Sequence, residues 1–266
     1  AKTAYPWDIE NFNFTYSYTE TFRRNQTLDY NLIKNYTGIV AYNYNFTNKP
    51  VEPFKFIKNK NLELISDFNF NYLPASWGVR LEADRRYGEL LNRNNDSKET
   101  LLPVLYDKMF TMRRYYELRY DISKNIKLDY NATVDARVDE PDGKISTNTT
   151  PEKVDTIRQN FWKGGRTTKY DQTARVNFNI PVNKLPYMQF VQQLTYNYSV
   201  NYQWLQAPPA ADSLGNTIQN SQQQQWNLNL NFVQLYNKSN IYKKIMNPGA
   251  PVAKKPKSAK DKAIAK

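Results

Sequence analysis

From residue 126 to 138 every even position is apolar or aromatic: Ile126, Leu128, Tyr130, Ala132, Val134, Ala136 and Val138. Every odd position between them is polar or charged, from Lys127 and Asp129 to Asp135 and Arg137. A period of two sustained this long requires a β-strand with one oily face and one wet face. Residues 112–122 alternate in the same way, and Ser123-Lys124-Asn125 between the two arms has the composition of a hairpin turn. Such arms are long, because strands of soluble proteins mostly run about five or six residues.

The pattern recurs along most of the chain. Alternation marks strands over 9–33, 36–47, 61–73, 77–91, 170–180, 187–205 and 218–236, which with the two hairpin arms makes about nine. The stretch 77–91 also scores as an amphipathic helix, since it is rich in Leu, Glu, Ala and Arg. LDYNLIKN at 28–35 echoes LRYDISKN at 118–125, so a turn is expected at 33–36 as well as at 122–126. Connections near 33–36, 73–76, 122–126 and 181–186 then come out short. Those near 48–60, 92–106, 140–169 and 206–217 come out long. Alternating short and long connections along an antiparallel meander are the habit of outer-membrane barrels; a soluble sandwich gives no reason for them.

The expected fold is therefore all-β, an antiparallel transmembrane barrel wall over 9–236. A basic Pro/Ala/Lys-rich tail follows over 237–266 and reads as linker or disordered. The faces follow from parity. Phe12, Phe14, Tyr16, Tyr18, Tyr42, Tyr44, Phe68, Phe70, Leu128, Tyr130, Val134, Phe178, Tyr196, Tyr198, Trp226 and Leu228 are expected to face lipid. Asn13, Thr15, Asn43, Asn69, Asp129, Asn131, Thr133, Arg137, Arg175, Asn177, Asn197 and Asn229 are expected to line a hydrated lumen.

Composition agrees with this reading without proving it. Aromatics make up 15% of the 266 residues, with 21 Tyr, as strands prefer. A mean hydropathy of −0.80 is compatible with a barrel, whose lumen-facing residues offset the lipid-facing ones. The net charge of +12 is concentrated at the end, where six Lys and one Asp fall between Lys254 and Lys266. A basic tail of this kind can bind nucleic acid or anionic lipid, and is more simply a solvated tail. The chain opens without an initiator Met or a signal peptide, and is expected to be a mature form or a segment of something longer.

The chemistry of enzymes is thin. No His and no Cys are present, which removes the commonest general base, the thiolate nucleophile, most zinc sites and any disulfide. Asp129, Asp135, Asp139 and Glu140 alternate with Lys127 and Arg137, as a charge-balanced wet face does and a glycosidase pair need not. Trp162-Lys163-Gly164-Gly165-Arg166 lacks the spacing of a phosphate loop. No catalytic residue, cofactor or metal is expected.

Several stretches resemble a known family. RYYELRYDISKNIKLDYNATVDARVDEPDG, FWKGGRTTKYDQ, IPVNKLPYMQFVQQLTYNYSVNYQW and LGNTIQNS with LYNKSNIYKKIMNPG are similar to the SprA (Sov) family. These are giant outer-membrane translocon proteins of the type IX secretion system of Bacteroidota, linked also to gliding motility. The resemblance runs from about Phe12 to Gly249. It implies an outer-membrane location in a Gram-negative bacterium and a wide protein-conducting channel for folded cargo. It also implies three partners: a shuttle barrel, a periplasmic plug and the remaining strands of a much larger barrel. Alternatives that the residues leave open are an ordinary porin or substrate transporter, a secreted module binding glycans through its aromatic stripes, and a basic nucleic-acid-binding protein.

Overall fold

The computed structural model describes residues 5–57, 62–94, 102–182, 185, 188 and 190–236. The tail expected as a linker lies outside them. Eight strands form one antiparallel meander in chain order. They are β1 (Phe12–Arg23), β2 (Leu28–Asn45), β3 (Ser76–Asn92), β4 (Leu105–Asp121), β5 (Ile126–Arg137), β6 (Arg166–Ile180), β7 (Val191–Leu205) and β8 (Thr217–Leu230). Each strand hydrogen-bonds only its sequence neighbours, and the sheet is not closed: β1 and β8 each have one partner. No helix among the described residues is long and apolar enough to cross a membrane, which says nothing of strands.

The count is eight, not nine, and the difference lies in the first third of the chain. The turn expected at 33–36 is mid-strand, where Asn35 pairs with Thr19 on β1 and with Arg86 on β3. Reversal takes place earlier, at 24–27. There the Asn25 side-chain oxygen accepts from the backbone N–H groups of Thr27 (2.9 Å) and Leu28 (2.7 Å). Arg24 and Gln26, which interrupt the apolar positions of 9–33, lie in this turn, whereas Glu20 lies within β1 opposite Lys34. A second correction concerns the strand expected over 61–73: the described residues 62–73 form none. They hold the single helical turn α1 (Glu63–Ser66), and Phe70 makes an isolated bridge to Val51. Phe68, Phe70 and Asn69 thus belong to a connection and to neither face of the sheet.

The ambiguous stretch 77–91 is strand, paired along its whole length with β2 and β4. Its Leu, Ala and Arg are overruled by the ladders on both sides. The connections do not alternate strictly. The first hairpin joins through 24–27, the same end as the long 138–165, and the opposite end carries both 122–125 and the long 46–75. The long loops also have structure of their own: helix α2 (Pro151–Trp162) in the third, a 3-10 helix (Pro209–Leu214) in the last. Past β8 the chain turns into α3 (Phe232–Tyr236), so the last strand stops at Leu230.

These corrections generate a test. If 33–36 were a turn, a proline there would be tolerated. Within a strand paired on both sides, Asn35→Pro removes a ladder bond and should cost about 3 kcal/mol or more. The denaturant midpoint of Asn35→Pro should therefore fall well below that of Gln26→Pro, placed in the true turn.

Candidate lipid-facing and water-facing surfaces

Residues paired across a ladder point to the same side, so the register assigns every side chain to a face. Following Phe12↔Tyr42↔Val79↔Tyr116↔Ala132↔Gln172↔Tyr202↔Asn220 gives one face of the whole sheet. Fourteen of the sixteen residues read as lipid-facing fall on it, Phe68 and Phe70 being the exceptions. Eleven of the twelve read as lumen-facing fall on the other, Asn69 excepted; its side chain instead accepts from the Lys124 N–H in the β4–β5 turn. Parity alone could not have guaranteed this. It required each of seven junctions to preserve the phase, and a single one-residue slip would have inverted every strand beyond it.

The apolar face is rich in cross-strand aromatic contacts. Phe12 meets Tyr42 at 4.9 Å between ring centroids, Tyr18 meets Tyr36 at 5.0 Å, and Tyr196 meets Trp226 at 4.4 Å. Such pairs hold neighbouring strands in register. Among the described residues no second sheet is stacked on this part of the sheet, whose side chains are half-buried by their neighbours on β4 to β7 and most open on the edge strands. Phe14 is 67% exposed, Trp226 62% and Leu228 57%.

The uncovered apolar surface has a sharp upper limit, and the limit is slanted. On successive strands it passes through Glu20, Lys34, Arg85, Arg114, Gln172 and Gln224, all on the apolar side. Below that line, toward the β4–β5 turn, every residue of this face in the eight strands is apolar, aromatic or Gly. Hydrogen-bond rows give the slope. The row of Glu20 meets β4 at Lys108, and the row of Gln224 meets β4 at Tyr120. The limit thus drops twelve residues, about 40 Å, over seven strand steps of about 4.8 Å each. That is a slope of about 50° to the rows, close to the 35–45° at which strands cross a bilayer. On β2 and β5 the band spans nine residues, Tyr36–Tyr44 and Ile126–Val134, about 30 Å along the strand and about 20 Å in height at such a tilt.

Above the limit, over β2 to β4, the protein covers its own apolar side chains, while Phe22 on β1 and Ile218 on β8 stay exposed. The arm 138–165 folds back over β2, β3 and β4, burying Tyr87, Met112, Ala136 and Val138. Arg85 donates to both carboxylate oxygens of Glu140 at 2.5 and 3.0 Å, and Lys108 donates to the carbonyls of Pro141 and Gly143. Phe161 stacks on Phe110 at 5.8 Å, and Val154 and Ile157 of α2 line a cavity against Leu32 and Tyr36. Pro151 opens α2 in its first turn. Gly164 and Gly165 close it in the left-handed conformation, with Gly165 N–H donating to Asn160 O and Gly164 N–H to Phe161 O, a Schellman motif.

The opposite face is polar and divides into zones that no single strand reveals. On β1 and β2 it is mainly Asn, Thr and Ser, and on β7 and β8 almost wholly Asn, Gln, Ser and Thr. Between them β3 to β6 carry nine basic and eight acidic residues on this face, a net charge of only +1 despite the +12 of the chain. Many are locally neutralised, Arg113 by Asp135 at 2.7 Å and Lys169 by Asp171 at 2.6 Å. Asp129 and Arg175 are register partners and, with Asn131, Glu117, Arg119 and Lys127, line a shallow hollow. Among the described residues no group of three or more acidic side chains is placed to hold a metal ion.

No protein-family model matches the chain, and no curated protein matches it at significant similarity.

Two predictions follow from the geometry. Val176 lies in the middle of the band and Asn177 on the polar face, whereas Val134 pairs with Arg114 at the band's limit. If the band is immersed in lipid, Val176→Arg should cost about 2–4 kcal/mol, while Val134→Arg should cost no more than about 1 kcal/mol. Asn177→Arg should be near neutral. Unfolding free energies in bilayers measure all three, and equal tolerance at 176 and 177 would contradict an immersed band. For the arm, a Cβ on Gly165 would lie 2.9 Å from Arg137 O, and φ is +67°. Gly165→Ala should loosen the arm by about 1–2 kcal/mol, read as faster proteolysis within 138–165 at unchanged strand content.

Proposed function

We propose that this chain is a sector of the wall of a large transmembrane β-barrel in the outer membrane of a Gram-negative bacterium. The observation that carries the reading is the slanted, uncovered apolar band. A sheet with no second layer leaves apolar surface in water at about 25 cal/mol per Å², and contiguous exposed patches above a few hundred Å² mark an interaction surface. The slope of the band fits a horizontal hydrocarbon layer crossed by tilted strands. The free edges of β1 and β8 fit a piece of a larger closed structure, since backbone groups within a membrane must all be paired. Single-chain barrels reach 36 strands.

The finer reading rests on the resemblance to the SprA family: a channel that exports folded proteins in type IX secretion and serves gliding motility. Its partners would be a shuttle barrel, a periplasmic plug and the secreted cargo. In this reading the chain performs no catalysis. The polar face lines a hydrated passage, and its amide and hydroxyl zones with a nearly charge-balanced centre offer passing proteins of either sign little to adhere to. A porin or solute transporter would use the same two faces and differ in pore width.

The test is membrane fractionation of the intact protein, by alkaline carbonate extraction followed by gel mobility with and without boiling. Retention in the outer membrane with a heat-dependent shift is expected. Release as a soluble species with saturable sugar binding would overturn the wall reading in favour of a glycan-binding module. Given retention, conductance of the reconstituted protein separates the finer readings: a pore passing only small solutes would exclude protein export.

A further inference from the structure

Among the described residues Arg114 is the one arginine on the apolar face without a counter-ion. Its Nε is buried without a hydrogen-bond partner, and no carboxylate among the described residues lies within ion-pair distance of its guanidinium. It sits on the band's limit between Leu81 and Val134, beneath the end of α2, where a Cβ on Gly164 would come within 3.0 Å of Nη1. Immediately before that glycine stand Trp162, 79% exposed, and Lys163, also exposed. These are two independent features at one level: an unneutralised guanidinium below, an outward indole and an ammonium above.

We infer that Arg114, Trp162 and Lys163 form a site for the phosphate of a lipid headgroup at the rim of the membrane-facing wall. The inference rests on the wall reading, and adds to it a ligand and a fixed height. A guanidinium on a lipid-facing surface is tolerated where it reaches the interface and meets an anion, and phosphate suits its planar array of donors. Trp prefers the headgroup layer, where its ring is half in hydrocarbon and its N–H is wet. The arm, pinned to the sheet by Arg85–Glu140 and by the Phe110–Phe161 stack, holds the indole at the height where the band ends. The left-handed Gly164 is what allows the chain to pass this close over Arg114.

The chain has no cysteine, so a single thiol can be placed and labelled without background. Gln159→Cys, one turn before Trp162, and Val176→Cys in the band would carry a fluorophore in the intact protein reconstituted in phosphatidylcholine vesicles. The label at 159 should be quenched mainly by a nitroxide on the lipid headgroup, and the label at 176 mainly by one midway along the acyl chain. Retention of phosphatidylglycerol in detergent should weaken about tenfold in Arg114→Gln and be largely kept in Arg114→Lys. Inorganic phosphate should not displace it.

Quenching at 176 without headgroup quenching at 159 would overturn the site while the wall reading stands. Unchanged phosphatidylglycerol retention in Arg114→Gln, at unchanged strand content, would also overturn it and leave the guanidinium a partner of the α2 C-terminus alone. Displacement by inorganic phosphate would exclude a lipid as the ligand. A label at 176 untouched by either nitroxide would sink the wall reading and the site with it.

Discussion

The structure depends on the backbone ladder. Eight strands satisfy their N–H and C=O groups sideways, against neighbours in chain order, and no second sheet is stacked on the first. A ladder of this kind fixes which side chains share a side but supplies nothing to cover them. The usual solutions are a sandwich or a helical layer. Here the arm 138–165 covers the apolar face only above a slanted line, burying Met112 and Val138; below it the apolar side chains are exposed on β1 and β8 and half-buried among their neighbours on β4 to β7. The energetics of the sheet are therefore incomplete without an apolar environment.

The slant carries information that the apolarity does not. A soluble protein that lost a covering layer would show an uncovered patch of arbitrary outline. An outline running about 50° across the hydrogen-bond rows is what an external plane crossed obliquely by the strands would leave, as the proposed wall requires. The residues on that line are of the kinds that tolerate a boundary: the Glu20–Lys34 pair at 3.7 Å, Arg114, and Gln172 accepting from the hydroxyls of Tyr130 and Tyr170. The opposite face has no such line, and on β3 to β6 its charges cancel to within one.

Much of the fold was legible in the chain. Alternation over 126–138 marks a strand and its two faces directly, the parity of 9–33 and 36–47 gives the right faces though not the right ends, and 14 of 16 apolar assignments share one side of the sheet. What misled was turn chemistry. Lys34-Asn35 looks like the turn residues Lys124-Asn125, yet it sits between two partners that hold it extended. Phe68 and Phe70 have the period of a strand, but past Asn45 the β2–β3 ladder continues only through Phe46 and Ala75, and 62–73 pairs only where Phe70 bridges Val51. Arg114 gave no local signal at all, being one of a dense run of basic residues around it.

The sequence by itself determined that this chain makes long amphipathic strands, because side-chain alternation is a property of consecutive residues and needs no partner. It determined also, through the absence of His and Cys, which chemistry the chain does not use readily. The register, the slanted limit and the arm over β2–β4 were decided only in the tertiary structure. Each depends on where the turns close and on which residues meet across distances of tens of positions, as Arg85 meets Glu140. No local period encodes such pairings; they are settled by the free energy of the whole ladder.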